Sequence, residues 1–198
     1  MSKRAICEHC ERPQKTCLCS VLVDIEAPLN VLILQDKKEA QHALSSAPLI
    51  EKSISNCQRV VGEVFDPQAL LGEGWQQTSA VLFPSESAQI ASPASCQNIK
   101  TLIVLDGTWK KVARLMHLNP WLTEISHIKI PAQNESQYRI RKSPRTDGLS
   151  SIEATVAVLN SITESDRFNA ILPAFEKMID FQIQAMGEDV YLRNYKQE

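Results

Sequence analysis

The chain has 198 residues, 43% of them hydrophobic, and a formal net charge of -2. That is enough apolar sequence for one compact α/β domain with a full core, while no apolar run reaches the length needed to span a bilayer. The near-neutral balance excludes a chain that is basic throughout, so any nucleic-acid site has to be a local patch.

The start, Met1-Ser2-Lys3-Arg4 followed at once by cysteines, lacks the apolar stretch of a secretory leader, and a cytoplasmic protein without a membrane segment is expected. In that compartment thiols stay reduced, and clustered ones more often bind metal than pair as disulfides. Cys7, Cys10, Cys17 and Cys19 form C-x-x-C followed by C-x-C. Four thiolates so spaced suit a tetrahedral structural zinc site with no open position for a substrate. Residues 1–28 are read as a small zinc-binding knuckle and 29–198 as a separate, larger α/β domain. His9 is expected to face solvent or an RNA phosphate rather than the metal, and Cys57 and Cys96 are expected to be ordinary small apolar residues.

Beyond residue 29 short apolar runs at 30–35, 58–61, 80–83, 101–105 and 127–130 read as strands, alternating with amphipathic stretches. The pattern predicts a mainly parallel sheet flanked by helices. The fourth strand runs into Asp106-Gly107-Thr108-Trp109 and a helix over 108–118, in which Trp109, Val112, Leu115 and Met116 share one face and Asn119-Pro120 stops the turn. An acid and a glycine therefore fall at the carboxyl edge of a parallel sheet, where ligand crevices of open α/β sheets lie. Gly107 suits close backbone approach or a positive φ, and Thr108 suits the helix cap.

Residues 133–147 read as a long polar loop. It carries Tyr138, Arg139, Arg141, Lys142 and Arg145, cations able to hold phosphates beside an aromatic ring able to stack on a base, which makes this the expected RNA-binding segment. Ser150-Ser151-Ile152-Glu153 has the spacing of a capping box and opens a helix through Ile152, Val156 and Leu159. Phe175, Met178, Ile179 and Ile183 place a last helix from Pro173 onward. Neither a dinucleotide fingerprint nor a phosphate-binding P-loop is present in the sequence.

Taken together, the cysteine pairs, Leu82-Phe83-Pro84, Leu105-Asp106-Gly107-Thr108-Trp109, and Ser136-x-Tyr138-x-Ile140-Arg141-Lys142 leading into Leu149-Ser150-Ser151-x-Glu153-Ala154 resemble the DTW-domain family of tRNA-uridine aminocarboxypropyltransferases. The resemblance covers nearly the whole chain. It implies a SPOUT-like, knotted α/β fold that binds S-adenosylmethionine and moves its 3-amino-3-carboxypropyl group to N3 of a tRNA uridine, releasing 5'-methylthioadenosine. It places the cofactor on Leu82, Phe83, Pro84, Ser85, Leu105, Gly107, Leu149, Ser150 and Ser151, and the chemistry on Asp106, Thr108 and Trp109, with Asp106 as base for the imide proton. The partner is tRNA, and no protein partner is expected. One stretch departs from the family pattern: a histidine-proline pair and a later Asn-Thr are replaced by Asp36-Lys37 and Ser45-Ser46, while Glu39 is kept. A SPOUT-like RNA methyltransferase, or a zinc-ribbon RNA-binding module without catalysis, would share many of these features.

Overall fold

The computed structural model describes residues 5–131 and 149–195. Among these residues six strands make one sheet: β1 (Asn30–Asp36), β2 (Cys57–Gly62), β3 (Ser79–Leu82), β4 (Gln89–Ile90), β5 (Thr101–Asp106) and β6 (Ser126–Lys129). Their order is β2-β1-β5-β3-β6-β4, and every pairing is parallel. Parallel neighbours need crossovers, supplied here by helices that cover both sheet faces.

Period-two alternation sorts the strand residues between those faces. Val31 and Ile33 of β1 and Leu102 and Val104 of β5 join one core cluster. Leu32 and Leu34, with Ile103 and Leu105, join the other. On the first face pack α1 (Ala47–Ser53), α5 (Ser151–Thr163) and α6 (Leu172–Met186). The second face takes the short turns α2 (Pro67–Leu71) and α3 (Trp75–Thr78) and then α4 (Trp109–Leu118), through Trp75, Val112 and Leu115. A final helix, α7 (Glu188–Tyr195), buries Tyr191 in the first cluster. Full burial of a side chain such as Ile33 or Ile50 stabilises the fold by about 1.5–3 kcal/mol each, which makes these two interiors the main source of stability.

Each strand expected from the sequence is present within one residue at either end. The reading missed β4, of two exposed residues, the short helices α1 to α3, and α7, which follows the helix expected to be the last. The helix begun at the capping box is confirmed: the Ser150 hydroxyl accepts from the Glu153 amide, and the Glu153 carboxylate accepts from the Ser150 amide. Thr108 is a correction. It occupies the N-cap of α4 with extended backbone, φ -64° and ψ 157°, but its side chain makes no capping bond.

The cysteine segment is seated on this body. Leu18 is fully buried within the first core cluster, the Arg12 guanidinium donates to the Ala43 carbonyl at 3.4 Å, and Ile25 bridges to Ile54. No helix among the described residues is long and apolar enough to cross a membrane.

Candidate active site and cysteine cluster

A cavity of about 390 Å³ opens at the carboxyl ends of β3, β5 and β6, the edge at which open α/β sheets bind ligands, and its volume suits a small molecule. Of the nine residues expected to hold a cofactor, eight line it: Leu82, Phe83 and Pro84 after β3, Leu105 and Gly107 at the end of β5, and Leu149, Ser150 and Ser151 at the start of α5. Trp109 lines it as well, with Ile90, Ile130 and Pro131, which the sequence did not single out. The lining is mostly apolar, and Lys129 at the end of β6 is its one charged residue among those described.

The ninth residue, Ser85, is placed beside the cavity rather than on its wall. Its hydroxyl lies 2.8 Å from Nδ1 of His127, whose Nε2 lies 2.9 Å from the Leu122 carbonyl. A carbonyl only accepts, so Nε2 carries the ring proton and Nδ1 accepts from Ser85. The same ring stands edge-on to Phe83 with centroids 5.9 Å apart, which fixes the start of the cavity wall.

Asp106 ends β5 between two lining residues but is itself only 4% exposed. Alternation turns it to the face of Leu102 and Val104, toward α5. Its Oδ2 accepts from Nε2 of Gln35 at 2.8 Å. Burial pushes its carboxyl above the ordinary range, while hydrogen bonding from Ser151 and Gln35 opposes that shift. A buried carboxylate with a raised pKa next to a cavity's lining residues suits a general base.

Gly107 is not in the left-handed region: among the described residues the glycines with positive φ are Gly72, Gly74 and Gly187. The role left to it is close approach, since a Cβ built there would lie 3.0 Å from Cβ of Lys111. The departing residues sit close by. Asp36, only 2% exposed, accepts from the amides of Lys38 and Glu39 at 2.9 and 3.2 Å and so closes the turn after β1. Lys111 lies 3.9 Å from that carboxylate and 2.6 Å from Glu39. Ser45, also buried, accepts from Gln35 at 2.7 Å. Gln35 was missed by sequence reasoning, although a polar residue at the end of an apolar strand run was the available signal. Tyr138, Arg139, Arg141, Lys142 and Arg145 lie outside the described residues.

The four N-terminal thiols converge. All four Sγ atoms lie within 4.8 Å of one another, with Cys7 to Cys19 at 3.4 Å, and Cys10 to Cys17 and Cys17 to Cys7 at 3.7 Å. Zinc bonded to thiolates at about 2.3 Å in a tetrahedron separates its sulfurs by about 3.8 Å, so the cluster fits a four-sulfur site. N–H groups of Cys10 and His9 hold the Cys7 thiol down to about 6, while hydrogen bonding with Cys7 and Cys17 pushes the Cys19 thiol up to about 12, so the case for a metal rests on the convergence of the four sulfurs. His9 is exposed. Burial pushes the Cys57 thiol up to about 12, which suits an inert core position.

Residues 4–183 match the model of one family, described as the DTW domain. Curated relatives carry related names. The chain is 26% identical over 195 residues to tRNA-uridine aminocarboxypropyltransferase 2 of Macaca fascicularis, covering 92% of this chain and 65% of that protein. Against tRNA-uridine aminocarboxypropyltransferase A of Arabidopsis thaliana it is 25% identical, covering 91% of this chain and 81% of the relative. For tRNA-uridine aminocarboxypropyltransferase 2 of Drosophila melanogaster the figures are 28%, 82% and 70%. No solved structure gives a significant match.

Proposed function

The chain belongs to the DTW-domain family, and from that premise we propose that it is a transferase that modifies tRNA, moving the 3-amino-3-carboxypropyl group of S-adenosylmethionine to N3 of a uridine and releasing 5'-methylthioadenosine. The observation that carries this reading is the placement of a buried carboxylate, Asp106, between Leu105 and Gly107, two residues that line the sheet-edge cavity.

S-adenosylmethionine supplies a sulfonium whose adjacent carbons are activated toward a nucleophile. The apolar walls from Leu82, Phe83 and Pro84 hold the adenosyl part by burial, and the small residues Gly107, Ser150 and Ser151 let backbone and hydroxyl groups approach its polar edges. Lys129 offers a cation for the cofactor carboxylate, a task that Arg139, Arg141 or Lys142 could share with binding RNA phosphates. Both the methyl and the methylene next to sulfur are reactive, and the carbon presented in line with N3 is the one attacked. The chain's task is to hide the methyl.

Uridine N3 carries an imide proton that must leave as the new bond forms. Asp106 receives it, directly or through the Ser151 hydroxyl that lines the cavity beside it. The raised pKa brings the conjugate acid nearer to working pH, which improves the proton's driving force. Trp109 shapes the cavity from the start of α4. Cys7, Cys10, Cys17 and Cys19 hold a zinc ion that fixes the N-terminal segment on the sheet and takes no part in the reaction.

The test is the nucleoside released when the full-length protein turns over unmodified tRNA and S-adenosylmethionine. Chromatography is expected to show methylthioadenosine. S-adenosylhomocysteine in its place would mean methyl transfer on the same fold, and tRNA binding with neither product would mean a binding module.

A further inference from the structure

We propose that Gln35 is a positioning residue for Asp106, its side-chain amide clamped from three sides so that it fixes the direction of the carboxylate and holds it ready in its ionised form. The inference rests on the reading of Asp106 as the base. It starts from an oddity of the sequence: β1 runs Val31, Leu32, Ile33 and Leu34 and then places an amide where another apolar residue would pack. Gln35 is fully buried and stands opposite Asp106 in the parallel register of β1 and β5.

Every polar atom of that amide is used. Nε2 donates to Oγ of Ser45 at 2.7 Å and to Oδ2 of Asp106 at 2.8 Å, and Oε1 accepts from a terminal nitrogen of Arg59 at 2.9 Å. A guanidinium has donors and no acceptor. The amide oxygen must therefore face Arg59, and the amide nitrogen is left for the carboxylate; the alternative flip would set donor against donor and oxygen against oxygen. Arg59 is itself held, because Nε and the backbone amide both donate to the Glu51 carboxylate, at 2.8 and 3.2 Å. A row of four polar side chains thus crosses the sheet from Glu51 on α1, through Arg59 on β2 and Gln35 on β1, to Asp106 on β5. Burying an amide without partners costs about 1–3 kcal/mol, so full satisfaction at this one place marks a built contact rather than a tolerated residue.

Other groups around Asp106 pull in known directions. Arg59 and the Ser151 hydroxyl favour the charged carboxylate, and Glu39 opposes it. Glu39 is paired with Lys111 of α4 at 2.6 Å, and Glu153 of α5 is held in the capping box. Gln35 is the only group among the described residues that both donates to Asp106 and is tied to a fixed cation.

The experiment measures kcat/KM against pH for transfer of carboxyl-labelled S-adenosylmethionine to unmodified tRNA, with wild type, Q35L, R59Q and D106N. Loss of a donor destabilises the ionised form, so the acidic limb moves up. A shift of about one pH unit is expected for Q35L and a smaller one for R59Q, with the KM for S-adenosylmethionine changed by less than about twofold. A limb left at the wild-type position in Q35L while D106N is inactive overturns the proposal. If Q35L does not fold, R59Q decides by the same criterion. Full activity of D106N instead overturns the reading of Asp106 as base, a separate failure.

Discussion

Replacing Ser150 with alanine removes a hydroxyl that does two things at once. It accepts from the Glu153 amide at 3.3 Å and donates to the Glu153 carboxylate at 2.6 Å. Glu153 is only 8% exposed, so a lost donor is not replaced by bulk water. An N-cap to alanine change costs about 0.5–2 kcal/mol, and a hydrogen bond to a charged group contributes about 1.5–3 kcal/mol. Both figures describe one hydroxyl and overlap, which gives an expected destabilisation of about 2–3 kcal/mol. Urea unfolding reads it directly as a lower midpoint at unchanged slope. Ser150→Thr, which keeps the oxygen, should recover most of the loss. The start of α5 also forms part of the cavity wall, so S150A should weaken S-adenosylmethionine binding in a calorimetric titration. A loss below about 0.5 kcal/mol, in the range of ordinary surface changes, would refute the claim that this cap holds the helix start.

Further outcomes follow from the same geometry. The purified protein should carry one zinc ion per chain, measured by mass spectrometry; Cys10→Ser should abolish it and lower the thermal midpoint, because Leu18 and the segment around it lose their anchor to the core. Asp106→Asn should be inactive yet at least as stable as wild type. Its sign is set by burial, which raises the folded-state pKa above the unfolded one: the neutral acid carries no cost below the unfolded pKa, and stability is lost as pH rises through the folded pKa. Melts of wild type and D106N should therefore diverge as pH rises and converge as it falls. Gly107→Ala should destabilise by about 1–2 kcal/mol through overpacking, since the new Cβ meets Cβ of Lys111 at 3.0 Å, and should lower transfer activity more than it lowers stability.

How far the sequence reaches depends on what holds each residue. Strands β1 and β5 are buried on both faces, so their apolar runs stand out without knowledge of neighbours. Two exposed residues, Gln89 and Ile90, carry no pattern, and β4 exists only because β6 pairs with it. The turns α2 and α3 are four or five residues long, shorter than the helical period needs to show itself. The lining residues around Phe83, Gly107 and Ser150 were legible as motif strings, and the sheet edge gathers them from distant parts of the chain into one place, whereas Ile90, Ile130 and Pro131 carried no motif. Gln35 was not, since its meaning lies in a register that pairs it with Asp106, 71 positions away. Thr108 shows the reverse: its type and place suggested a side-chain cap, and the structure uses only its backbone. The four cysteines were legible because metal geometry is written in short local spacings.

Transfer of label from carboxyl-labelled S-adenosylmethionine into unmodified tRNA, compared between wild type and D106N, tests the central claim most directly. The account predicts that label enters the RNA with wild type and stays at background with D106N. RNA that acquires label from the methyl group alone, or D106N as active as wild type, would contradict it.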